Sequence, residues 1–208
     1  MTDEYLADRL SETLSPNLAD PDLSWLWPPL LRLLACGSPV TVARLAAATG
    51  RTEPDVRRAL ARLSDTEYDE HGRIVGWGLT QRPTPHSFSV DGVALYTWCA
   101  LDTLIFPAVL DRTALVQSPC RATGEPVRLT VTPAGITSVE PATAVLSVVT
   151  PQSQSSVRQA FCDQVHFFSD PVSAQDWHRA HPEASVLPVA EARTLAQRLT
   201  RPLREGCA

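Results

Sequence analysis

The 208-residue sequence predicts an α+β fold, in which an N-terminal winged-helix-like helical module (residues 1–80) packs on a core of short antiparallel strands and helices (residues 81–208). Three observations predict it. The first 80 residues carry apolar positions at helical spacing and finish in an alternating segment. Beyond residue 81, short β-type runs are interleaved with helical stretches, the mixture that marks an α+β domain. The composition, 44% hydrophobic and 20% charged, supplies a sizeable core and excludes a disordered chain.

Taken in order, Asp3 to Leu14 predicts a first helix ended by Ser15-Pro16, and Leu23 to Ala35 a second, stopped by Gly37 with Pro39 beyond. Val42, Leu45, Ala46 and Thr49 give a third, closed by Gly50. Thr52-Glu53-Pro54-Asp55 opens a fourth in the manner of a capping box, with Val56, Leu60 and Leu63 on one stripe and Arg57, Arg58 and Arg62 off it. Gly72 and the alternating stretch Arg73 to Leu79 predict a hairpin whose partner strand lies near Phe88 to Val90. Ala94 to Phe106 reads as a helix ended by Pro107. Strands are expected at Thr113–Gln117, Val127–Thr132, Ile136–Val139 and Thr143–Val149, a short helix at Ser155–Phe161 and a strand at Val165–Phe168. Ser173-Ala174-Gln175-Asp176 is a second capping-box-like start, leading into a helix through Trp177. A last helix runs from Val189 to Arg204, or less far if Pro202 ends it.

The charge balance narrows the function. Net charge is −5. Residues 1–80 hold 12 acids against 8 arginines, and the helix beginning at Glu53 would lead with carboxylates where a recognition helix contacts bases. The winged-helix outline is therefore read as a structural cover, with no nucleic acid partner. The apolar runs Leu104–Leu110 and Ala144–Val149 are too short to span a membrane. With an acidic start and no signal peptide, a cytoplasmic protein is expected. Five widely spaced cysteines, Cys36, Cys99, Cys120, Cys162 and Cys207, do not form a disulfide framework.

Tyr96-Thr97-Trp98-Cys99-Ala100-Leu101-Asp102-Thr103 is the most informative segment. On a helix, Cys99 and Asp102 share a face. The carboxylate should raise the thiol's pKa, which is wrong for a simple nucleophile but suits a pair in which the carboxylate takes the thiol's proton and hands it on. The other reading is a half-buried helix with an apolar cysteine and a solvated aspartate. Cys162 lies at an inferred helix-to-strand junction, and two thiols meeting across the fold would suit a soft metal. His166 is read as a structural histidine, Cys120 as part of a structural turn, Cys36 as core and Cys207 as part of a frayed tail. Trp98 and the residues around Phe161 are assigned to core packing, with pocket lining as the alternative.

The runs Ser64 to Asp69, Gly76 to Thr80, Leu95 to Pro107 and Val157 to Phe168, with Trp98-Cys99-Ala100-Leu101-Asp102-Thr103-Leu104 at their centre, make the chain resemble the organomercurial (alkylmercury) lyases. The resemblance runs from about the second helix to Trp177. It implies a winged-helix-like module on an α+β catalytic core and a site of two cysteines and one aspartate, which fall on Cys99, Asp102 and Cys162. Some relatives carry a further cysteine where this chain has Asp163. The implied reaction is protonolysis of a carbon–mercury bond to a hydrocarbon and Hg(II), the Hg(II) product being held by Cys99, Cys162 and Asp102. No resident cofactor is expected. Cellular thiols or a mercuric reductase would collect the metal. Two rival readings are a winged-helix metal-responsive regulator and a non-catalytic soft-metal carrier.

Overall fold

A computed structural model describes residue 10, residues 23–63, 65–150 and 156–205, the side chains of 201–205 excepted. The expected first helix and Cys207 fall outside these residues, apart from Leu10, which is helical and fully buried. Helix α1 (Trp27–Leu34) starts later than expected because Pro28 and Pro29 fit only a first turn. Helix α2 (Val42–Thr49) is capped by the Thr41 side chain and closed by left-handed Gly50. Helix α3 (Glu53–Arg62) opens on Thr52, whose hydroxyl accepts from the Asp55 amide. Their apolar stripes, including Leu30, Leu34, Leu45, Val56 and Leu60, join the main core.

Strands β1 (Glu67–Tyr68), β2 (Ile74–Trp77), β3 (Leu79–Thr80), β4 (His86–Val90), β5 (Val93–Thr97), β6 (Ala114–Pro119), β7 (Pro126–Val131) and β8 (Ile136–Glu140) form one antiparallel sheet. Its order is β1-β2-β3-β5-β4-β6-β7-β8, so the sheet runs unbroken past residue 80. A second sheet, in the order β10-β9-β11, comprises β9 (Val145–Val148), β10 (Phe167–Phe168) and β11 (Ser185–Pro188). Helix α4 (Ala100–Leu110) is buried on nearly every face and packs against α7 (Val189–Glu205). Along the chain, α5 (Val157–Ala160) and a 3₁₀ turn at Cys162–Gln164 connect β9 to β10, and α6 (Gln175–Ala180) connects β10 to β11.

Several expectations are corrected. The helix expected at Ala94–Phe106 is strand β5 followed by α4. Val93 to Thr97 extends because it pairs with both β3 and β4, a tertiary demand that overrides helical spacing. Pro107 does not end α4: the helix continues to Leu110 and closes at Asp111, in left-handed conformation. The Leu104 carbonyl nearby receives Arg193 of α7, whose guanidinium also bonds the Thr132 and Pro133 carbonyls at 3.1 and 2.8 Å. Phe88–Val90 pairs with β5 and β6 rather than with 73–79, whose neighbours are β1 and β5. Ser173 does not cap α6. It closes a turn with Asp170, its amide donating to Oδ1 at 2.7 Å, and Ala174 stands at the cap position. Pro202 lies within α7, and Cys36 is exposed rather than core.

Candidate active site

The site forms where α4 begins. Cys99 is its N-cap, extended at φ −141° and ψ 170°, and Asp102 is the third helical residue. The i, i+3 spacing thus brings the two together through a reciprocal cap rather than as neighbours on a helical face. The Cys99 amide donates to Asp102 Oδ2 at 3.2 Å, and the Asp102 amide is directed at the Cys99 sulfur. The Asp102 amide, directed at the Cys99 sulfur, works in favour of a thiolate there. Cys162 arrives from the other side on the 3₁₀ turn after α5. The Ala100 amide bonds the Val165 carbonyl at 3.2 Å, and the Ser147 hydroxyl donates to the Gln164 carbonyl at 3.0 Å, tying that turn to both α4 and β9.

Cys99, Asp102 and Cys162 therefore converge, their sulfur and carboxylate atoms all within 4.8 Å of one another. Both thiols are buried and no disulfide joins them. Burial pushes the Cys99 thiol well above its ordinary range, and its contacts with Cys162 and Asp102 push the same way. At Cys162 the hydrogen bond with Cys99 works downward, but burial and the Asp102 and Asp163 charges outweigh it, and the net shift is upward. Burial also lifts the Asp102 carboxyl to about 6, against the hydrogen bonds from Cys99 that favour its ionised form. Protons are thus shared among three groups that interact directly, and their titration belongs to the trio.

A pocket of about 30 Å³ opens beside Asp102 and Cys162, lined also by Trp27, Trp77, Gly78, Trp98 and Phe161 among others. Trp98 and Phe161, assigned to core packing from sequence, are pocket walls as well as buried side chains. Trp27 meets Trp77 edge-on at 5.8 Å, so the helical module supplies part of the lining. A larger recess beside Ile136 and Arg193 carries no thiol or carboxylate.

The remaining candidates stay apart from the trio. Cys120 closes a turn, as expected, with the Gly124 amide bonded to its carbonyl at 2.9 Å. Burial pushes its thiol upward, but hydrogen bonds from Thr123 and Ser169 prevail and bring it down to about 6. His166 packs edge-on against Trp177 at 6.4 Å, and burial brings it to about 4. Sequence reasoning missed a cluster around the pocket residue Trp98, in which the buried Glu67 accepts from Trp98, Thr80 and Arg158. Glu67 is one of four acids in residues 65–70, and although the cluster's residues fall in the runs that carry the resemblance, nothing local in the chain links them to one another.

Comparison with known proteins identifies the family. Residues 79–201 match the family model described as alkylmercury lyase, and residues 3–78 match the helix-turn-helix domain of alkylmercury lyase. An alkylmercury lyase of Streptomyces lividans is 60% identical, the alignment covering 98% of this chain and 94% of that one. One of Staphylococcus epidermidis is 56% identical over 85% of this chain and 82% of its own length. A crystal structure of the mercury-bound form of MerB2 superposes with a TM-score of 0.76 at 25% identity, covering 95% of this chain and 98% of that one. The regulator and carrier readings are not favoured. Matched by these two family models along almost its whole length, the chain belongs to the alkylmercury lyase family.

Proposed function

We propose that the protein cleaves carbon–mercury bonds by protonolysis, with Cys99, Cys162 and Asp102 as the reacting groups. The observation that carries the proposal is the meeting of two buried thiols and one carboxyl group within 4.8 Å. An organomercury cation is soft and prefers sulfur to oxygen. As the first cysteine sulfur bonds mercury, its proton passes to the Asp102 carboxylate and the incoming ligand leaves. The second thiol then bonds mercury and releases its proton to solvent. Two sulfurs raise electron density on the metal and weaken its bond to carbon. Asp102 next delivers its proton to that carbon. The bonding pair stays with carbon to form the C–H bond, and mercury remains Hg(II), held by the two sulfurs beside Asp102. Asp102 ends as the carboxylate it began as. No electron is transferred, so the scheme needs no redox cofactor.

A carboxyl group lifted to about 6 by burial supports this role, because it can both hold and release a proton near neutral pH. We place the Hg(II) product in the hands of cellular thiols or a mercuric reductase, in a cytoplasmic setting where thiols stay reduced. Among the described residues no helix is long and apolar enough to cross a membrane. Residues 1–80 act in this scheme as a cover for the catalytic part, 81–208, a role supported by Trp27, Trp77 and Gly78 in the pocket lining.

The test is headspace gas chromatography for benzene or methane after adding an organomercurial and excess thiol. Cys99→Ala and Cys162→Ala should each abolish hydrocarbon release, whereas Cys36→Ser and Cys207→Ser should stay active. Turnover by either of the first two variants would overturn the two-thiol scheme.

A further inference from the structure

We infer that Glu67 is a positioning residue that fixes the wall of the pocket and thereby sets the size of organic group the enzyme prefers. The inference rests on Cys99, Asp102 and Cys162 being the reacting groups.

Glu67 sits on the two-residue strand β1, in the segment between the helical module and the rest of the sheet, and is only 8% exposed. One of its three side-chain partners, Trp98, is a wall of the pocket. Oε1 accepts from the indole Nε1 of Trp98 at 3.2 Å and from the Arg158 guanidinium, and Oε2 accepts from the Thr80 hydroxyl. The space for this carboxylate is provided by Gly76, where any Cβ would collide with Glu67 Oε2 and Thr80 Oγ1. Arg158 in turn lies over the Trp98 ring, 5.1 Å from its centroid. Its backbone is held from the same turn as Glu67, because the Asp65 carboxylate accepts from the Ser156 hydroxyl at 2.9 Å and from the Arg158 amide at 3.4 Å. Trp98 is thus fixed at its backbone by Gly78, at its indole N–H by Glu67 and across its face by Arg158.

An ion pair between a buried carboxylate and a partly exposed guanidinium is a poor way to gain stability, since desolvating the carboxylate offsets much of the attraction. Its strength is geometric: it specifies where its partners stand. The part it specifies here is a wall of a pocket whose interior is about 30 Å³. That is room for a methyl group, whereas an engineered apolar cavity that takes benzene is about 150 Å³. A phenyl group can reach the thiols only if the wall gives way. Glu67 resists that displacement at Trp98, so it disfavours large organic groups relative to small ones.

The experiment compares kcat/KM for phenylmercury and methylmercury in excess thiol, using the full chain. The ratio of the two values on one preparation cancels any loss of folded enzyme, which a merely structural role would cause. Glu67→Gln keeps the shape but loses the charge-assisted bonds, and should raise the phenyl-to-methyl ratio about threefold. Glu67→Ala removes all three bonds and should raise it about tenfold. In a Trp98→Phe background, which lacks the indole N–H, the effect of Glu67→Gln should vanish. An unchanged or lower ratio in Glu67→Gln overturns the inference, and so does a rise that persists in Trp98→Phe. Failure of the underlying site shows separately: Cys99→Ala would then turn over either substrate.

Discussion

Under the proposed chemistry, Asp102 is the residue on which catalysis and stability pull in opposite directions. Its carboxyl titrates at about 6 in the folded chain against an ordinary value of 3.8, so the fold binds this proton more tightly than the unfolded chain does. Protonation therefore stabilises the fold, and stability falls as the pH rises from about 4 to about 6, with the cost fully present above that range. Asp102→Asn stays neutral and should be the more stable protein at about pH 7.5, by on the order of 2 kcal/mol, with the advantage fading toward about pH 4. Thermal unfolding at several pH values checks this; a variant less stable than wild type at neutral pH would contradict it. The same variant keeps both thiols and should still bind mercury. Lacking a transferable proton, it should lose hydrocarbon release by at least about 10²-fold, the lower range for a general acid. Near wild-type release would remove Asp102 from the chemistry.

Helix α4 carries Cys99 and Asp102 at its first turn, so whatever holds the helix also holds the site. Proline at 107 removes one amide from the helical ladder and crowds the preceding turn. Arg193, 3% exposed, reaches from α7 to the Leu104 carbonyl and to the carbonyls of Thr132 and Pro133. One charged group thereby staples α4 and the β7–β8 turn to the last helix. Arg193→Ala strands three carbonyls that the guanidinium satisfied and leaves space behind them. It should cost about 3 kcal/mol, read as a lower urea midpoint. A midpoint equal to wild type would show that water replaces the guanidinium without loss.

At the scale of the whole molecule, the helical module faces inward. Trp27 stands against Trp77 and Phe106 and lines the pocket, so the module and the catalytic part share one apolar core. Two of its exposed arginines are paired within α3, Arg57 with Glu53 and Arg58 with Asp55. With carboxylates leading that helix, no salt-sensitive binding to duplex DNA is expected at physiological ionic strength. A gel-shift series over increasing salt tests this, and submicromolar binding to a specific duplex would restore a regulatory role.

By itself the sequence determined the α+β class, the start and stop of α2 and the start of α3, and the run around Trp98-Cys99 with the distant Phe161-Cys162 singled out Cys99, Asp102 and Cys162 as the candidates. Those features are local: a capping threonine, a glycine at a helix end and a short motif act through neighbours in the chain. What only the tertiary structure decided is how these pieces meet. Val93 to Thr97 carries a pattern compatible with a helix and became a strand because β3 and β4 offered hydrogen bonds on both sides. That outcome moved Cys99 from the middle of a helix to its N-cap, where the capping geometry aims both sulfur and carboxylate at Cys162. The Glu67–Trp98–Arg158 cluster joins residues 31 to 91 positions apart, and no local pattern in the chain announces such a contact. It exists because a buried carboxylate and a buried indole N–H need partners, and each meets that need in the other, with the partly exposed Arg158 completing the set.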